Sequence, residues 1–121
     1  MKHFKPEEFA CKCGKCGKGF NEMKPSTLSK LDKARGTANT SFIITSAYRC
    51  EQHNKNVGGK PNSAHLRGYA VDLKITSSSN AMAILKSLID VGFNRIGYNT
   101  QHKFFHVDDD PSLPKEVFFD Y

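Results

Sequence analysis

The sequence predicts an α+β fold: a small antiparallel sheet with helices packed on one side. Three observations point there. Two segments carry apolar residues at helical spacing, "PSTLSKLDKARG" and "SSSNAMAILKSLIDVG". Four others, "SFIITSAYR", "YAVDLKI", "FNRIGYN" and "KFFHVDDD", are β-branched or aromatic, and two of them alternate with a period of two. The order is helix, strand, loop, strand, helix, two strands, which differs from the strict strand–helix alternation of a parallel sheet.

Residues 1–22 read as a loop-rich, cysteine-containing N-terminal segment, with a short helical turn after Pro6. Pro25 opens the first helix, because a proline at an early position loses no needed N–H. Leu28, Leu31 and Ala34 form its apolar stripe, and Gly36 is expected to end it. Residues 41–49 read as a buried strand. Residues 50–64, "CEQHNKNVGGKPNSA", read as a long polar loop, of the kind that carries function in small domains. In "YAVDLKI" Val71, Leu73 and Ile75 face one way, and Ala70, Asp72 and Lys74 the other. The second helix is capped by Ser or Asn, buries Met82, Leu85, Leu88 and Ile89, and stops at Gly92. In the last strand Phe105 and Val107 oppose Phe104, His106 and Asp108.

A chain of 121 residues suits one domain over residues 1–121. With 38% hydrophobic and 25% charged residues it reads as a globular protein rather than a disordered one. No apolar run approaches the length of a membrane span, so no membrane partner is expected. The N-terminus lacks the apolar stretch of a secretory signal, which implies a product made in the cytoplasm without its own signal. Net charge is +6, favouring anionic partners. The basic residues are scattered and form no nucleic-acid motif, so nucleic acid is not the expected one. Cys11, Cys13, Cys16 and Cys50 leave three readings open: a structural metal knuckle, reduced structural thiols, or a disulfide of Cys50.

The chemistry concentrates around "NSAHLRGYAVD". If the strands holding Asp72 and His106 pair, their side chains share one face, and His65 lies just before the first of them. Gly68 and Ala70 leave room for a close approach to the backbone. Two imidazoles and a carboxylate form the ligand set of a catalytic zinc site, with a fourth position left for water.

These residues carry a resemblance. Ser63, His65, Gly68, Ala70 and Asp72 meet the pattern Ser-x-His-x-x-Gly-x-Ala-x-Asp. Ser46, Tyr48 and Arg49, then His53, Asn54, Val57, Gly58 and Gly59, meet its upstream element, and His106 in "FFHVD" its late histidine. The chain, from about Phe4 to Asp108, resembles the zinc D-Ala-D-Ala carboxypeptidases and L-Ala-D-Glu endopeptidases, the LAS metallopeptidases, which share their fold with the hedgehog signalling domain. The resemblance implies that His65, Asp72 and His106 bind one catalytic zinc, and that Arg49, with Ser63 and Tyr48 nearby, binds substrate and stabilises an oxyanion. For the general base it leaves Asp108 preferred, as base or as partner of a ligand, with His102, Asp109 and Asp110 as alternatives. The implied substrates are peptidoglycan stem or crossbridge peptides in an anionic cell wall. A small, signal-less, single-domain chain fits an endolysin-like monomer that acts at the wall after holin-type release or as a phage component, with phage or bacterial origin left open.

Overall fold

In the computed structural model, which describes residues 1–121, the chain runs through three helices and five strands. These are α1 (Pro25–Ala38), β1 (Ile44–Ser46), α2 (Glu51–Asn56), β2 (Ala70–Lys74), α3 (Ser78–Asp90), β3 (Arg95–Asn99), β4 (Phe104–Asp108) and β5 (Val117–Asp120). The strands form one sheet in the order β1-β2-β4-β3-β5. All neighbours pair antiparallel except β3 and β5, which are parallel. No helix is long and apolar enough to cross a membrane.

Alternation along the two central strands sorts the chemistry. Val71 pairs with Val107 and Leu73 with Phe105, whereas Ala70 pairs with Asp108 and Asp72 with His106. The first set meets Leu31 and Ala34 of α1 and Ile84 and Leu88 of α3 in the core, and the second lies on the opposite face. Phe4, Phe9 and Met23 extend this core, so the N-terminal segment is part of the packed fold. Burying a side chain such as Phe9 contributes about 1.5–3 kcal/mol.

Several details differ from the sequence reading. Gly36 does not end α1; the helix continues to Ala38 and the left-handed cap is Asn39, at φ 52°. Gly36 instead gives His3 room, since a Cβ there would stand 2.7 Å from His3 Nε2. The strand expected over 41–49 shrinks to Ile44–Ser46, and the loop over 50–64 contains α2. Cys50 caps α2 by accepting from His53 N. On α3, Met82 and Ile89 are exposed and Ile84 and Leu88 carry the buried stripe. The missed strand is β5, which returns to lie parallel to β3.

Candidate metal centre

His65 stands in a 3-10 turn, Ala64–Arg67, whose cap is Ser63: its hydroxyl accepts from His65 N at 3.2 Å. Gly68, at φ 79°, closes the turn and feeds β2. The close approach expected at Gly68 exists, but the visitor is the chain itself. Lys24 N donates to Gly68 O at 2.9 Å, and a Cβ on Gly68 would lie 2.0 Å from Glu22 O.

His65, Asp72 and His106 are all buried, and one ligand atom from each lies within 4.8 Å of the others. Asp72 Oδ1 is 3.1 Å from His65 Nε2 and 3.1 Å from His106 Nδ1. The far ring nitrogens decide what those contacts are. His65 Nδ1 lies 2.7 Å from Ala47 O, and a carbonyl only accepts, so Nδ1 carries the proton. His106 Nε2 lies 2.7 Å from the Asp108 carboxylate and donates to it. In a neutral ring the inner nitrogen therefore presents a lone pair to a carboxylate oxygen. Each such contact needs either a second ring proton or a cation.

Burial pushes the His65 imidazole below its ordinary pKa, against that second proton. Burial also opposes charge on His106, but the hydrogen bonds and charges of Asp108 and Asp72 outweigh it and hold its pKa above the ordinary value. Burial would raise the Asp72 carboxyl, yet the two imidazoles hold it well below the usual carboxylate range. One cation receiving all three lone pairs satisfies the cluster without extra protons. Two imidazoles and a carboxylate are a donor set suited to zinc.

Arg49, 8% exposed, spans the edge of this cluster. Its guanidinium donates to Asp72 Oδ2 at 3.4 Å, Asn54 Oδ1 at 3.2 Å and Ser46 Oγ at 3.1 Å. A cavity of about 460 Å³ opens over the face, lined among others by Arg49, Ser63, Asp72, His106 and Tyr121. A larger hollow of about 710 Å³, between Met1–His3 and α1, contains none of these donors.

Of the acids after His106, Asp108 is the one that touches that histidine, and Asp109 and Asp110 are held by other groups. Asp108 is fully buried; Oδ2 receives His106 Nε2, and Oδ1 receives Arg95 Nε at 2.8 Å and Asp110 N at 3.2 Å. Asp108 thereby orients the His106 ring, and its carboxylate keeps one lone-pair position on Oδ2. Asp109 is held by Thr27 and Lys30 of α1, and Asp110 by Arg67 at 2.6 Å and by Ser112. His102 is exposed on the β3–β4 turn and does not line the cavity. Tyr48 packs against the core instead of lining the cavity, and burial raises its phenol pKa.

Sequence reasoning missed Tyr121, whose ring stacks on His106 at 4.2 Å and 15°. Gly97, paired with His106, makes the space: a Cβ there would stand 2.8 Å from Tyr121 Cβ. Burial, then the Asp72 charge, pushes the Tyr121 phenol up to about 12, so it stays a neutral donor. The signal was the alternation of Phe119 and Tyr121. Asn54 and Arg95 were also given no role. The four cysteines are free thiols, so Cys50 forms no disulfide, and their sulfurs gather away from the His/Asp cluster.

A family model described as Peptidase M15 matches residues 2–108. No curated protein matches the chain.

Proposed function

The chain belongs to the peptidase M15 family, and from that premise we propose that it is a zinc-dependent peptidase acting on peptide bonds of bacterial peptidoglycan, as a D,D-carboxypeptidase or an endopeptidase. The observation that carries the reading is the convergence of three lone pairs, from His65, Asp72 and His106, on one point beside an open cavity.

His65, Asp72 and His106 would hold the zinc, which when bound supplies a Lewis acid and acidifies water towards a pKa of about 7. The chain's own groups do the rest. Ala47 O and Asp108 fix the tautomers of the two neutral histidines, so that the inner nitrogens carry the lone pairs. Asn54 and Ser46 hold the Arg49 fork at the cavity edge, where it can bind a substrate carboxylate or a developing oxyanion. Gly59 keeps that pair accessible, since a Cβ there would stand 2.0 Å from Asn54 Oδ1. Tyr121 covers one face of His106 and excludes water from it.

The net charge of +6 suits an anionic wall. Action at the wall as a monomeric phage lysis component belongs to the same proposal. A second reading, a zinc-bearing wall-binding module without cleavage, is favoured by one observation: Asp108, Asp109 and Asp110 are all engaged elsewhere.

The test is mass spectrometry of crosslinked peptidoglycan incubated with wild type and with His65→Ala, both checked for fold by circular dichroism. New peptide ends from wild type alone support the peptidase. Wall binding by zinc-loaded wild type without new ends establishes the module and sinks the peptidase.

A further inference from the structure

Cys11, Cys13, Cys16 and Cys50 come from two distant stretches of sequence, yet their four sulfurs all lie within 4.8 Å of one another. A zinc ion with four thiolates at about 2.3 Å sets its sulfurs about 3.8 Å apart, so this cluster needs only a small contraction to close on one ion. The backbone around it is bent to the purpose. Gly14 at φ 69° and Gly17 at φ 68° make two left-handed turns inside "CKCGKCGKG" that other residues adopt only with strain.

Those turns aim N–H groups at the sulfurs. Lys15 N and Cys16 N each donate to Cys13 Sγ at 3.3 Å, and Lys18 N donates to Cys16 Sγ at 3.4 Å. On the other side, Cys50 N donates to Cys11 Sγ and His53 N to Cys50 Sγ, both at 3.4 Å. Such donors stabilise negative charge on sulfur, the form in which a thiol binds a metal. No carboxylate or histidine completes this group, so the donor set is all soft sulfur, which selects zinc over magnesium, calcium or manganese.

We infer that Cys11, Cys13, Cys16 and Cys50 form a second, structural zinc site that clips the N-terminal segment to the start of α2. Four protein ligands leave no open position, so the site carries no reaction of its own. Its place gives it a consequence. Cys50 directly follows Arg49, whose backbone N–H is bonded to His65 O at 3.2 Å. Fixing Cys50 therefore fixes the stretch of backbone from which the Arg49 fork reaches Asp72. The inference does not depend on the proposed peptidase activity.

The test uses cobalt(II) as the probe, added to the full reduced, metal-free chain. Thiolate-to-cobalt charge-transfer absorption in the near ultraviolet reports cysteine ligation and is silent for a His/Asp site. The expected result is a strong thiolate band in wild type that persists in His65→Ala. Cys13→Ser and Cys16→Ser, changes in a loop outside the core, weaken the band while circular dichroism stays native. Zinc added to the His65→Ala chain also slows reaction of its thiols with Ellman's reagent. A folded, reduced chain that binds cobalt without a thiolate band overturns the inference, as does a band unchanged in both serine variants. Loss of peptidoglycan hydrolysis in His65→Ala with the band intact separates the two sites.

Discussion

Asp108→Asn tests whether Asp108 orients a metal ligand or takes a proton. The wild-type carboxylate accepts from His106 Nε2 at 2.7 Å and from Arg95 Nε at 2.8 Å, in a site closed to solvent. An amide of the same shape has one acceptor and one donor end. If the oxygen stays on Arg95, the amide N–H faces His106 Nε2, and the ring relieves the clash by moving its proton to Nδ1. That proton then occupies the lone pair aimed at the metal position. If the oxygen turns to His106, Arg95 loses a charged acceptor worth about 1.5–3 kcal/mol. Losing an orienting partner of this kind costs about 10–100-fold in metal affinity, or about 1.4–2.7 kcal/mol. Zinc affinity measured by competition with a chromophoric chelator, on protein shown to be folded, reads this directly. The expected result is weaker zinc binding with lost activity that excess zinc partly restores. Unchanged zinc affinity with abolished hydrolysis would refute the reasoning and return Asp108 to the role of base.

Three further outcomes are expected. Arg49→Lys keeps a charge but loses the fork, so hydrolysis falls by about 10²–10³-fold with zinc content unchanged; undiminished turnover would reduce Arg49 to a structural ion pair. Gly68→Ala combines left-handed strain of about 1–2 kcal/mol with the collision against Glu22 O, and lowers the urea midpoint clearly; an unchanged midpoint would show that the two segments separate freely. Arg67→Ala moves acid unfolding to higher pH. Burial raises the Asp110 pKa, but Ser112 and Arg67 outweigh it and hold the pKa below the ordinary value. The stability this provides is full above the unfolded pKa near about 3.9 and is lost as pH falls through the folded value. Without Arg67 the folded pKa rises and the loss begins sooner; an acid midpoint that does not move would contradict this.

The meeting of Asp72 and His106 in the candidate metal site was legible because alternation is a local property. Asp72 and His106 each oppose apolar neighbours on their own strands, so pairing those strands puts both on one face, as the Asp72–His106 register has it. That Asp108 shares the face of His106 was legible too, but what else holds it was not. Its carboxylate is claimed by Arg95, opposite it across the β3–β4 register, and nothing in either strand alone announces that pair. Tyr121 escaped for a similar reason: β5 reaches β3 by a parallel return, and a period of two in four residues does not name its partner strand. At Gly68 the sequence showed that something comes close but could not show that it is Glu22. On α3 the helical period was right and its phase was wrong, because Met82 and Ile89 are as apolar as the residues that do face the sheet.

The central claim is that His65, Asp72 and His106 share one metal ion. Elemental analysis of zinc bound per chain, on wild type and His65→Ala prepared side by side, tests it most directly. The variant is expected to bind one zinc fewer and to keep the zinc held by its cysteines. Equal zinc in both proteins, with both folded, would contradict it.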